Sequence, residues 1–85
     1  MNLLQSDCDI FDGVFLFMKF ETKTRIESKW VVIKIYRNGE YYFTYDFLIE
    51  NAKMMLDEHL PTKRWATTNN LIEIRNSIEH QINVN

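Results

Sequence analysis

With 85 residues the chain has room for one domain with a modest core, a size at which isolated folds are marginal. Its formal net charge of −2 selects no class of partner, its single cysteine excludes an intramolecular disulfide, and its two glycines exclude a phosphate-cradling or dinucleotide loop. No apolar stretch approaches the ~20 residues that span a bilayer, and the run Val14 to Phe20 is interrupted by Lys19 and follows three aspartates, so a cytoplasmic protein is expected.

Residues 1–12 read as a short helical turn or an irregular lead-in, punctuated by Gly13. The spacing Asp7-x-Asp9-x-x-Asp12 invites a calcium loop, but Phe11 and Asp12 stand where such a loop needs an oxygen ligand and a glycine. Residues 14–22 read as a first strand, rich in Val, Phe and Thr and bounded by glycine and a charged cluster. Residues 23–29, KTRIESK, read as a polar connection into which either neighbouring strand can extend.

Residues 30–47 carry the strongest local signal. Two β-type runs, 30–37 and 40–47, flank Asn38-Gly39, the pair a type I′ hairpin turn favours. An unbroken ladder then pairs Arg37 with Glu40, Tyr36 with Tyr41, Ile35 with Tyr42, Lys34 with Phe43 and Val32 with Tyr45. That register gives a core face of Val31, Ile33, Ile35, Tyr42 and Thr44. The opposite face holds Trp30, Tyr36, Tyr41, Phe43, Tyr45 and Phe47 around Lys34. The aromatic face is expected to be covered by helix two or the N-terminal segment, to be a protein interface, or to contact RNA.

Asp46 is the expected N-cap of helix one, whose apolar stripe is Leu48, Ile49, Ala52, Leu56 and Leu60 and which Pro61 ends. Thr62-Lys63-Arg64 is the linker. Helix two begins between Thr67 and Asn70, with Asn70 and Glu73 at the spacing of a capping box and Leu71, Ile74, Ile78 and Ile82 as its buried stripe. The expected fold is a single α+β domain, a small three-stranded antiparallel sheet followed by two helices on the Val31/Ile33/Ile35 face.

Catalysis needs a nucleophile, a base and an orienting group in named roles. Cys8, Ser6, Ser28 and Ser77, with His59 and His80 on helix surfaces, form no such set, and no His/Cys cluster has metal-ligand spacing. A non-enzymatic protein without metal or cofactor is expected. Basic residues concentrate between 19 and 37, where Lys19, Lys23, Arg25, Lys29, Lys34 and Arg37 outnumber Glu21 and Glu27. Aromatics that stack on bases and cations that meet phosphates suit single-stranded RNA. Lys19, Lys34 and Arg37 on the strands and Lys63 and Arg64 in the linker are the candidate RNA contacts. The same aromatics serve equally as protein anchors, with Trp30, Tyr36, Tyr41, Phe43 and Trp65 as candidates. Trp65 has a competing role as a staple of the linker onto the core.

The segment Trp65-Ala66-Thr67-Thr68-Asn69-Asn70-Leu71-Ile72-Glu73-Ile74-Arg75-Asn76 resembles the C-terminal part of the Dmd-type phage antitoxins. The shared piece is the Trp-Ala-Thr-Thr quartet with the amphipathic helix after it. In size and character the chain also resembles the TifA-type phage inhibitors of ToxN-like RNase toxins. The resemblance implies an antitoxin, active in the host bacterial cytoplasm, that binds and inhibits a ToxN-like or RNase LS-like endoribonuclease, with RNA as a further component of the complex. The acids Asp7, Asp9, Asp12, Asp57 and Glu58 would then be available to meet a basic RNA groove. The alternative is a small RNA-binding or other phage inhibitor module with a different host target.

Overall fold

The computed structural model describes residues 8–11 and 14–84, with side chains from residue 18 to 82. Two short strands, β1 (Cys8–Phe11) and β2 (Val14–Phe17), pair antiparallel as a separate two-stranded sheet. The main sheet is β3 (Phe20–Glu27), β4 (Trp30–Arg37) and β5 (Glu40–Leu48), antiparallel in that order. A helical stretch over residues 49–62 and the long helix α2 (Thr68–Val84) follow. The expected α+β architecture is therefore present, but its first strand lies elsewhere. Residues 8–11 are extended rather than helical, and the expected strand 14–22 is broken at Met18-Lys19. The supposed connection 23–29 is mostly strand. Thr22, Thr24 and Ile26 are β-branched residues at alternate positions that face the core, and their charged neighbours face outward. Only Ser28 and Lys29 turn, with Ser28 at a φ of 57°. The readings placed on residues 1–7, 12 and 13 lie outside the described residues.

The Asn38-Gly39 turn is as expected, with φ of 52° and 85° at its two central residues, the signature of type I′. The ladder beyond it differs from the expected one. Arg37 pairs with Glu40 and Tyr36 with Tyr41, but Ile35 pairs with Phe43, Lys34 with Thr44 and Ile33 with Tyr45. One extra residue on β5 makes a bulge between Ile35 and Tyr36. A one-residue slip moves every later side chain to the other face. Phe43, Tyr45 and Phe47 thus belong to the core face, and Thr44 and Asp46 to the outer one.

Val31, Ile33, Ile35, Leu60 and Ile74 are fully buried at the centre of the core, and Phe47, Leu56, Trp65 and Ile78 are buried around them. Trp65 meets Phe43 edge-on and Tyr45 at a tilt, with ring centroids 6.0 Å and 5.4 Å away.

Helix one is not a continuous α-helix capped by Asp46. Asp46 remains in β5, and no side chain caps the first turn. The stretch runs through a 3₁₀ turn (Ile49–Asn51), one α turn (α1, Ala52–Met54), a π turn (Met55–His59) and a 3₁₀ turn (Leu60–Thr62). Pro61 sits at the start of that last turn instead of preventing it, a position where its missing N–H costs no helical bond. The expected stripe is still inward, with Leu56 and Leu60 buried and Ile49 and Ala52 packed against the core.

The start of α2 falls where expected, but the cap is Thr67, whose hydroxyl accepts the Asn70 N–H at 3.3 Å. Asn70 and Glu73 form no capping box. Both side chains reach across to other elements. Leu71, Ile74 and Ile78 face the core as expected, whereas Ile82 is half exposed.

These reaching side chains seal one edge of the sheet. The Asn70 amide donates to the carbonyls of Phe20 (2.9 Å) and Trp65 (2.8 Å). The Glu73 carboxylate accepts from the Thr24 N–H (3.1 Å) and from the hydroxyls of Thr22, Thr24 and Ser77. Gln81 accepts from the Ile26 N–H at 2.8 Å and donates to the Thr24 carbonyl at 3.3 Å. Helix α2 thus satisfies four backbone groups of an edge strand, the Thr24 and Ile26 N–H and the Phe20 and Thr24 carbonyls, that would otherwise be a template for pairing.

Candidate functional site

The face of the main sheet turned away from the helices is built by strand alternation alone. Its cross-strand rows are Glu21–Tyr36–Tyr41, Lys23–Lys34–Thr44, Arg25–Val32–Asp46 and Glu27–Trp30–Leu48. Each row lies two residues from the next, so the Tyr36 and Trp30 rows are about 20 Å apart at ~3.3 Å per residue. An aromatic row and an indole thus bracket a cationic middle.

Within this face Tyr36 and Tyr41 meet edge-on at 6.1 Å. The Tyr41 hydroxyl lies 2.7 Å from the Thr44 hydroxyl, which holds the phenol over the next row. The Lys23 ammonium lies 5.4 Å from the Tyr36 ring centre, within cation–π range. A hollow of about 340 Å³ opens beside it, lined by Glu21, Thr22, Lys23, Tyr36 and Gly39. Arg25 is ion-paired to Glu27 on the same strand, with both side chains about half exposed. Trp30 is 41% exposed and Tyr41 58%.

Lys23 and Lys34 stand directly opposite each other. Like charges at such a position destabilise a sheet by a few tenths of a kcal/mol or more. No acidic side chain among the described residues is hydrogen-bonded to either lysine. An anion between the two ammonium groups would relieve the repulsion, and the flanking rings offer flat apolar surface on the same side.

The structure divides the residues expected to bind. Trp30, Tyr36 and Tyr41 share the outer face. Phe43 and Trp65 do not: Phe43 is half buried beneath the sheet, and Trp65, 6% exposed, packs against it. Of the two roles open to Trp65, its burial supports the staple. The expected RNA contacts are likewise dispersed. Lys34 is on the outer face. Lys19 is bound to the hairpin tip, its N–H donating to the Asn38 side-chain oxygen at 2.9 Å and its carbonyl accepting from the Asn38 N–H at 2.7 Å. Arg37 lies over the Tyr42 ring at 4.4 Å and Lys63 over Tyr45 at 5.6 Å, both on the helical side, while Arg64 is exposed in the linker. Lys23 and Arg25 are the cations that sequence reasoning left in a connection. The alternation of Thr22, Thr24 and Ile26 with charged residues was the signal that could have placed them. Asp57 is exposed and tied to Lys53 at 3.1 Å and Arg75 at 3.9 Å, whereas the side chains of Asp7, Asp9 and Asp12 lie outside the described residues.

Among the described residues no group of His, Cys, Asp and Glu is arranged to hold a metal ion, and no helix is long and apolar enough to cross a membrane. Compared with protein-family models, curated proteins and solved structures, the chain matches none.

Proposed function

We propose that this chain is a non-enzymatic antitoxin of phage type that binds a bacterial endoribonuclease, ToxN-like or RNase LS-like, in the host cytoplasm, and that its outer sheet face holds RNA in the complex. The observation that carries the RNA contact is the Lys23–Lys34 pair set between the Tyr36/Tyr41 row and Trp30. Single-stranded RNA supplies what that arrangement lacks: phosphates for the ammonium groups and base faces for the rings. An inhibitor of a ribonuclease needs no catalytic group. It needs a rigid surface that occupies the toxin's RNA path or joins the RNA already there.

The toxin assignment rests on the resemblance at Trp65–Asn76. That segment is scaffold, because Trp65 fills the core and Asn70 and Glu73 tie α2 to β3. It therefore supports a shared framework, and the partner surface is argued from the sheet face alone.

Co-expression with a panel of endoribonuclease toxins tests the proposal. Growth rescue by the wild-type chain, and co-purification of toxin that nuclease treatment weakens, are the expected results. Lys23→Gln/Lys34→Gln should lose both while folding normally. Rescue against no toxin in the panel removes the antitoxin reading. RNA retained without any toxin would favour a free-standing RNA-binding module, which the lysine pair also suits.

A further inference from the structure

The outer face carries a carboxylate that neither the lysine pair nor the rings account for. Glu21 stands directly opposite Tyr36, so their Cβ atoms are about 4.5–5.5 Å apart, and Lys23 follows two residues along the same face. Glu21, Lys23 and Tyr36 line the hollow of about 340 Å³ beside Gly39 of the turn. Glu21 is exposed, and its side chain takes no part in the ion pairs or hydrogen bonds of the described residues. On the same face Glu27, by contrast, is tied to Arg25. An unpaired carboxylate beside a path for phosphates repels them, so it works against RNA unless it meets hydrogen-bond donors there. Those donors must be uncharged, because the ammonium groups of Lys23 and Lys34 repel a second cation.

We propose that this hollow takes one guanine base of the RNA and that Glu21 is the residue that selects it. The inference rests on the RNA reading of the outer face and adds the base that the face prefers. The Watson–Crick edge of guanine presents, in order, the N2 amine, the N1–H and the O6 carbonyl. The first two are adjacent donors, and a carboxylate has two oxygens that only accept, so Glu21 takes both at once. The third is an acceptor and suits the Lys23 ammonium, which lies 5.4 Å from the Tyr36 ring centre at the wall of the hollow. An ammonium has three N–H groups, so Lys23 keeps donors for the phosphate it shares with Lys34. The Tyr36 ring supplies flat surface for the base. The other bases leave the set incomplete. Adenine and cytosine each present one exocyclic amine beside an acceptor nitrogen, and the uracil N3–H lies between two carbonyls, so one carboxylate oxygen is left without a donor. A metal ion or an arginine of a protein partner satisfies Glu21 only by placing a positive charge beside Lys23 and Lys34.

The test measures binding of the full chain, without toxin, to short uridine tracts that carry G, A, C or U at one central position. The G-containing strand should bind about tenfold more tightly than the other three. Inosine at that position, which lacks the N2 amine, should lose part of the preference, and 1-methylguanosine, which lacks the N1–H, all of it. Glu21→Gln changes an exposed side chain and should fold as wild type does. It should bind the A, C and U strands as well as wild type or better, because a negative charge has left the phosphate path, yet bind the G strand no better than these. A solvated acid without a base to read would instead strengthen binding to all four strands alike. Wild-type binding with no preference for G overturns the proposal and leaves the RNA reading of the face standing. So does a G preference that survives Glu21→Gln, including the case in which that variant loses a protein partner, or one that inosine and 1-methylguanosine retain in full. Binding to none of the strands overturns this proposal and the RNA reading together.

Discussion

Glu73 shows how much a single side chain can carry in a domain this small. Its carboxylate accepts four hydrogen bonds, from Thr22, Thr24 twice, and Ser77. Truncation strands the Thr24 N–H at a covered edge, and an unsatisfied donor of that kind costs about 1–3 kcal/mol. Glu73→Ala should lower the urea midpoint accordingly, with the slope unchanged if unfolding stays two-state. Gln at the same position should recover part of the loss. Trp65→Ala is expected to be more severe, about 3–5 kcal/mol as for other buried tryptophans, read as a large drop in melting temperature. A preserved melting temperature with lost toxin protection would return Trp65 to the interface. Ile33→Asp, at a fully buried position, should abolish the cooperative transition, because it leaves an unpaired charge in the core.

At the scale of elements, the β5 bulge decides which residues are core. The Asn38-Gly39 turn was legible because its chemistry is local: both residues tolerate positive φ. The bulge was not, since it follows from which aromatics the helices can cover. Phe43, Tyr45 and Phe47 fill space beneath the sheet that Tyr42 and Thr44 could not. Deletions should reveal this. Removing Tyr42 takes out the extra residue and leaves the pairs Tyr36–Tyr41, Ile35–Phe43 and Ile33–Tyr45 intact. That variant should fold with native circular dichroism, losing the Arg37–Tyr42 stack and the Tyr42 ring contacts with Phe20 and Phe43. Removing Thr44 slips the strand against its turn and should unfold the domain. The helices were legible as apolar stripes, but their joints were not. Asp46, Asn70 and Glu73 have capping chemistry, and each is used otherwise because a tertiary partner or a continuing strand competes for it.

For the whole molecule, stability and binding make opposite demands on the outer face. Neutralising the lysines by Lys23→Gln/Lys34→Gln removes a cross-strand repulsion, so the melting temperature should hold or rise slightly. RNA affinity should fall at low salt. If each lysine contacts one phosphate, the slope of log affinity against log salt should become shallower by about 1.4. An unchanged slope would move RNA off this face. The candidate surface was only partly readable beforehand. Trp30, Tyr36, Tyr41 and Lys34 were identified from their run, whereas Lys23 and Arg25 were hidden because a charged, polar stretch reads as loop until its alternate threonines find a helix.

The alternation along β3 has an evolutionary consequence. Residues 21, 23, 25 and 27 are displayed, and residues 20, 22, 24 and 26 are spent on packing and edge closure. On this strand display and packing fall to different side chains, whereas on β4 Val32 is buried on the outer face, so the uncoupling of recognition from folding belongs to β3. A lineage pressed by changing adversaries can rewrite the displayed positions one at a time, each step viable.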